Sequence, residues 1–269
     1  MTAALRQPED ADQILLRQDT DGVATLTLNR PAARNALSVA LMGALQDQID
    51  AIRDDRSVKV VIVAANGPAF SAGHDLRELR ANPGRGFYEA LFDQCSRLML
   101  SLVRLPKPVI AQVQGVATAA GCQLVATCDL AVAASDARFA TPGVNIGLFC
   151  STPMVALTRA IGAKPAMEML LTGELIDAGA AKSYGLVNRI VPPGELALAT
   201  MALARQIASK SPLTLRIGKE AFHRQRELGV EQAYAYASRA MTENMLARDA
   251  ERGIDAFIAK QPQPDWQGE

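Results

Sequence analysis

The sequence predicts an α/β fold with parallel strand pairings and a helical C-terminal segment. Two continuous, largely β-branched runs, 58–63 and 108–113, are too short for helices and read as strands buried on both faces. Strand, turn and helix signals alternate along the chain, the pattern of an α/β architecture. From about Glu195 the strand signals stop and the remaining stretches read as helical.

The elements follow in order. Gly22 to Leu28 alternates in the manner of a strand and ends at Asn29-Arg30-Pro31. Ser38 opens a helix whose stripe is Leu41, Leu45, Ile49 and Ile52. Val58 to Val63 is a buried strand, and Asn82 to Gly86 a flexible loop. Pro108 to Val113 is a second buried strand, stopped by Gln114-Gly115. Thr118 to Cys128 reads as a helix and Leu130 to Ala133 as a strand. Glu195–Ser209, Pro212–Glu227, Val230–Arg248 and Ile254–Ala259 read as helices. The expected organisation is a tail over 1–12, an α/β core over 13–205 and a helical segment over 206–269.

Composition narrows the function. The 269 residues are 49% apolar, enough for a real core, and 28 basic side chains balance 28 acidic ones. Zero net charge argues against a nucleic-acid partner. No run is long enough to insert in a membrane. The start of the chain carries Glu9, Asp10 and Asp12 and no apolar stretch, unlike a signal peptide. Cys95, Cys122, Cys128 and Cys150 form no C-x-x-C pair, so reduced thiols and a cytoplasmic location are expected. Only His74 and His223 could supply imidazole, which leaves no expectation of a metal site. His223, beside Arg224 and Arg226, reads as solvated.

Three stretches could carry chemistry. In Phe70-Ser71-Ala72-Gly73-His74-Asp75-Leu76 the small Ala72 and Gly73 admit a ligand close to the backbone. Asp75 with Glu78 reads equally as a capping box at the next helix. Gly115 to Gln123 joins a buried strand to a helix of very small residues, whose free N–H groups would face an anion, or serve close packing. Phe139 to Pro153 is an apolar loop of the kind that lines a pocket. Its Cys150 is either a reactive thiol or a small buried hydrophobe. There is no G-x-S-x-G elbow, P-loop or strand-borne G-x-G-x-x-G.

Taken together, these stretches resemble the enoyl-CoA hydratase/isomerase (crotonase) family over nearly the whole chain. The matching pieces are Leu28-Asn29-Arg30-Pro31 with Asn35-Ala36-Leu37, Phe70 to Asp75, Pro108 to Ala111 leading to Gly121-Cys122, Leu171-Thr172-Gly173, Gly185-Leu186-Val187 and Ala256-Phe257. Ala117 to Leu124 and Pro142 to Asn145 match one branch of that family more finely. The resemblance implies a spiral of repeated β-β-α units with a helical C-terminal oligomerisation segment, assembled as a trimer or dimer of trimers. It implies an acyl-CoA thioester as substrate, with coenzyme A present only as part of that substrate and no other cofactor. The amides of His74 and Ala120 would form the oxyanion hole, with Ala72, Gly73, Asp75, Leu76, Arg77, Ala119 and Gly121 around the substrate. Ala32, Arg34, Phe257 and Lys260 would meet the coenzyme, the last two from a neighbouring subunit, or are surface residues.

The sequence departs from the family's hydratases at both acids. Gln123 stands where they carry the first glutamate and Gly143 where they carry the second. Neither can shuttle a proton at neutral pH. The expectation is therefore a weak or altered hydratase, or alternatively a non-catalytic acyl-CoA-binding protein. A further variant would use Cys150 or Ser151. Gly143 is also open to a positive φ, which would resist any side chain.

Overall fold

The computed structural model describes residues 13–269, so the expected tail lies outside the described residues. Strands β1 (Leu15–Thr20) and β2 (Val23–Leu28) form an antiparallel hairpin. Asp21 and Gly22 between them both take positive φ, 52° and 78°, as a two-residue hairpin turn matched to strand twist demands. Helix α1 (Val39–Arg53) then leads to β3 (Val60–Ala65), which lies parallel to β2.

From here the chain repeats one move. β3, β5 (Val109–Val113) and β7 (Leu130–Ala134) each enter a six-stranded sheet, in the order β1-β2-β3-β5-β7-β10. After each, a short strand crosses to a second sheet: β4 (Ala69–Ser71), β6 (Val116–Thr118) and β8 (Arg138–Ala140), joined by β9 (Ile176–Asp177). Helices return the chain to the first sheet. They are α2 (Leu76–Ala81) and α3 (Arg85–Arg104) after β4 and α4 (Ala120–Thr127) after β6, whereas α5 (Ser151–Ala160) and α6 (Ala163–Thr172) after β8 lead first to β9. Then α7 (Ala178–Tyr184) leads to the edge strand β10 (Arg189–Val191). This is the expected spiral of β-β-α units.

Strand periodicity explains the apolar runs. Val61, Val63, Val109, Ala111, Ala131 and Ala133 face the main core, with α1 and α3. Val60, Ile62, Ala64, Ile110, Val132 and Ala134 face the other way, onto Leu196, Leu203, Ala204 and Ala208 of α8 (Leu196–Ala208). Both faces are dry, so both registers must be apolar. Each such valine or isoleucine contributes roughly 1.5–3 kcal/mol of burial.

Three helices close the chain: α9 (Pro212–Gln225), α10 (Val230–Met245) and α11 (Arg248–Ile258). Among the described residues no helix is long and apolar enough to cross a membrane. The continuous helix read over Val230–Arg248 is broken. The break lets the Asp249 carboxylate, 1% exposed, accept from Ser211 Oγ at 2.6 Å and from the amides of Gln267 and Gly268 at 2.9 Å each. Residues 254–259 then continue α11 and do not start a helix of their own.

Two further readings are corrected. His223 is only partly solvated: its side chain is 29% exposed, and its Nε2 lies 3.4 Å from Asp129 Oδ1, beside the Lys219–Asp129 pair at 2.6 Å. That cluster ties α9 to the starts of β5 and β7, since Asp129 also accepts from Val109 N at 2.7 Å. Residues 118–128 are not one helix either. Thr118 pairs with Ala140 across β6 and β8, and the helix starts only after Ala119 reverses the chain at φ 49°, ψ −120°.

Candidate active site

The site begins at a buried asparagine. Asn35 sits at φ 51°, a left-handed position that its short polar side chain can support. Its Oδ1 accepts from Arg30 N at 2.8 Å, and its Nδ2 donates to the carbonyls of Asn66 and Ala69, both at 2.8 Å. Its own carbonyl accepts from Ser71 Oγ at 2.9 Å. Arg30 reaches past it to the Ala36 carbonyl (2.6 Å) and to Asp75 Oδ2 (3.0 Å). Asp75 in turn accepts from the amides of Arg77 and Glu78, capping α2. The pairing is not the reciprocal capping box read from the sequence, because Glu78 instead accepts from Val39 N at 2.9 Å.

This scaffold fixes residues 72–75 amide by amide. Ala72 N donates to Arg34 O at 3.0 Å, Gly73 N to Ser71 Oγ at 3.3 Å and Asp75 N to Leu37 O at 3.3 Å. Gly73 O accepts from Leu37 N at 2.7 Å. Among the described residues the His74 amide alone in this stretch has no acceptor.

The opposite wall is the start of α4. Ala119 N donates to Ala140 O at 2.9 Å, and the next amide with an acceptor is that of Gln123, to Ala119 O at 3.0 Å. No side chain caps this helix. The amides of Ala120, Gly121 and Cys122 are thus left as donors at the positive end of the helix dipole. A non-glycine residue at Ala119's φ and ψ carries strain of order 1–3 kcal/mol, which helps set the direction of the Ala120 N–H.

Two glycines press the walls together. A Cβ on Gly73, whose φ is 94°, would lie 2.8 Å from Ala119 Cβ and 3.2 Å from Ala120 N. A Cβ on Gly121 would lie 2.2 Å from Ser71 O. The backbones at Gly73 and at Ala119–Ala120 are therefore in direct contact, and the acceptor-free amides of His74 and Ala120 adjoin that contact.

Around these donors the side chains differ in what they offer. Gln123 is buried one turn beyond Ala120, and helical side chains lean toward the N-terminus, so its amide leans toward the hole. Cys95 of α3 approaches its Oε1 at 4.0 Å. The His74 ring stacks edge-on against Phe92 of α3, at 5.5 Å between centroids. Burial pushes its pKa from 6.5 down to about 4, so the ring is neutral at physiological pH.

Gly143 lies in the 3-10 helix Pro142–Ile146 that follows β8, the strand tied to the Ala119 amide through Ala140. It does not adopt positive φ, correcting that reading. The obstacle to a side chain is contact: a Cβ there would lie 2.7 Å from Leu148 O and 2.9 Å from Cys150 Sγ. Cys150 is buried, and burial raises its pKa against a smaller lowering by the Gly143 N–H. It is thus a protonated thiol and not an activated nucleophile. Ser151 is exposed, with its Oγ 3.3 Å from the Phe149 carbonyl, and no base is hydrogen-bonded to it among the described residues. Ala32, Arg34, Ala72, Leu76 and Arg77 are exposed, as are Phe257 and Lys260 at and just beyond the end of α11. Among the described residues no group of three or more metal-ligating side chains is assembled.

Known proteins share this fold. The enoyl-CoA hydratase/isomerase family matches residues 18–269. The chain belongs to that family. Human enoyl-CoA hydratase domain-containing protein 3, mitochondrial, is 48% identical over 93% of this chain and 82% of that protein. The crystal structure of the human protein superposes with a TM-score of 0.91 at 46% identity, covering 94% of this chain and 100% of that one. An enoyl-CoA hydratase of Mycobacterium smegmatis superposes with a TM-score of 0.93 at 51% identity, covering 94% and 99%. The crotonase fold and the finer branch, that of enoyl-CoA hydratase domain-containing protein 3, both stand. The cytoplasmic expectation does not: the human, rat and mouse relatives are all named as mitochondrial. Reduced thiols separate reducing from oxidising compartments and do not tell one reducing compartment from another.

Sequence reading missed the scaffold behind the hole. Asn35 and Arg30 lay within a matched motif, but nothing local shows that their side chains reach Ala69 and Asp75. It also missed α3, whose Phe92 and Cys95 touch His74 and Gln123.

Proposed function

We propose that this protein binds an acyl-CoA thioester with its carbonyl oxygen between the amides of His74 and Ala120. The observation that carries this reading is the pair of acceptor-free amides held on backbones in contact, one of them at a helix start. Charge that builds on the oxygen as an enolate forms would be met by preorganised donors, at little reorganisation cost. Ala72, Gly73, Ala119 and Gly121 leave room for the thioester, and Asp75 works through Arg30 to hold the loop. Ala32, Arg34 and Arg77, all exposed, would meet the coenzyme nucleotide, with Leu76 on the substrate side. The chemistry calls on no cofactor beyond the coenzyme A of the substrate.

Hydration needs a base for water and an acid for the α-carbon. Gln123 and Gly143 supply neither, and Cys150, protonated beside Gly143, does not replace them. Each positioned acid or base is worth on the order of 10²–10⁴-fold. The protein is therefore a weak or altered hydratase, and the same two positions favour a second reading as a non-catalytic acyl-CoA-binding protein. Calorimetry with butyryl-CoA and free CoA, together with hydration assays on crotonyl-CoA, tests both. Binding that depends on the acyl group with very slow hydration supports the reading. Hydration at a typical enzyme rate overturns the account of the acids, and absence of acyl-CoA binding overturns the site.

The same proposal includes a trimer or dimer of trimers built through the C-terminal helices. Tyr234, Met241, Met245 and Phe257 stand exposed there, Phe257 at 77%. In such an assembly Phe257 and Lys260 would reach a neighbour's coenzyme. Light scattering at micromolar concentration checks this, and a monomer contradicts it.

A further inference from the structure

The end of α4 remote from the amide hole carries a buried charge cluster. Asp129 follows Cys128, the C-cap of α4, and its Oδ2 accepts from Lys219 Nζ at 2.6 Å and from Val109 N at 2.7 Å. Lys219 Nζ also donates to the carbonyls of Leu102 at 2.9 Å and Lys107 at 3.0 Å. All three ammonium hydrogens are therefore engaged, and all by groups of the α/β core. His223 Nε2 stands 3.4 Å from the second Asp129 oxygen. No residue of α9 is buried as a whole, yet the side chain of Lys219 is only 7% exposed.

The sequence explains what a lysine does here. Leu102 lies in the last turn of α3, and the residue four ahead of it is Pro106, which has no N–H to give its carbonyl. Asp129 lies at the negative end of the α4 dipole, where a carboxylate alone is repelled and a cation is favoured. One ammonium thus meets the ends of two helices at once. These are the two helices that shape the site. α4 begins at the Ala120 amide, and α3 brings Phe92 to the His74 ring and Cys95 to Gln123. α4 spans eight residues, a rod of roughly 12 Å, so a shift at its far end is carried to its first turn. Asp129 also holds the first residue of β5, the strand that runs through Gln114-Gly115 into β6 and on to the hole.

We propose that Lys219 is a positioning residue of the amide hole: from α9 it clamps the C-terminal ends of α3 and α4 and so fixes where the Ala120 N–H points. The geometry of the site is thereby tied to the docking of the C-terminal helical segment. The inference goes beyond the proposed function and rests on it only for the ligand used as a probe.

The test compares the wild type with Lys219→Met and Lys219→Arg in two measurements. The first is hydrogen exchange in the ligand-free protein, read by mass spectrometry. In Lys219→Met, exchange over 95–104 and 123–128 rises about tenfold or more relative to β1 and β2, which make no bond to the cluster. The second is the infrared spectrum of bound butyryl-CoA labelled with ¹³C at the thioester carbonyl. In the saturated Lys219→Met complex the stretch lies closer to that of the ligand in water, and binding is about tenfold weaker, the loss of one well-aimed hydrogen bond. Lys219→Arg keeps the charge and the donors and recovers part of both effects. Where Lys219→Met does not fold, Asp129→Asn/Lys219→Met, which leaves no bare charge behind, takes its place. A rise in exchange spread evenly over the chain, or a carbonyl stretch in the folded variant equal to that of the wild type, marks a role in stability alone and overturns this inference. A wild type that binds no butyryl-CoA overturns the acyl-CoA reading instead, and the exchange pattern then decides this one.

Discussion

Acidification singles out His74. Burial holds its imidazole at about 4 against an ordinary 6.5. Between these values the unfolded chain takes up a proton that the folded protein refuses. The unfolded state thus binds more protons, and stability must fall as the pH drops through that window. The contribution is complete above pH 6.5 and gone near pH 4. The shift corresponds to about 3 kcal/mol, a large fraction of the stability of an ordinary domain. Asp55, Asp75 and Asp249 are held below their ordinary 3.8, so their contributions fall away only beneath this window. Urea unfolding at fixed protein concentration, at intervals from pH 7.5 to 4.5, measures the effect in the wild type and in His74→Phe. The stability difference between the two should move toward the variant by up to about 3 kcal/mol as the pH falls. A difference independent of pH would refute the argument that the imidazole is buried and neutral.

Other perturbations act elsewhere on the same framework. Gln123→Glu should raise crotonyl-CoA hydration, by up to the 10²–10⁴-fold that one positioned acid–base group supplies, as read by loss of enoyl absorbance. Gly143→Ala should lower stability by about 1–3 kcal/mol in urea unfolding, because its Cβ would press on Leu148 O and Cys150 Sγ. Gly143→Glu therefore does not rebuild the second acid without repacking that loop. Lys219→Met should cost about 3–5 kcal/mol in the same assay, since it strips the close cation from Asp129 in a pair whose lysine is 7% exposed.

The sequence made the large sheet legible because dryness on both faces leaves no polar position in β3 and only the half-buried Gln112 in β5. It also marked the amide-bearing stretches, since Gly73, Ala119, Ala120 and Gly121 are small for the reason seen here: backbones in contact. The second sheet was not legible. β4, β6 and β8 span three residues each, too few for alternation to register. Long-range partners were hidden for a different reason. His223 looks solvated from its charged neighbours, yet Asp129, distant in sequence, turns it inward. Glu78 fits a capping box by spacing, yet the amide of Val39 takes its carboxylate. Such choices are settled by which donors the fold brings near, and local pattern carries no record of them.

The central claim is that two backbone amides polarise a thioester oxygen in a site without its acids. Isotope-edited infrared spectroscopy of butyryl-CoA labelled with ¹³C at the thioester carbonyl tests it directly. In a stoichiometric complex the account predicts a carbonyl stretch at lower wavenumber than for the same ligand in water. A stretch unchanged or moved to higher wavenumber would contradict it.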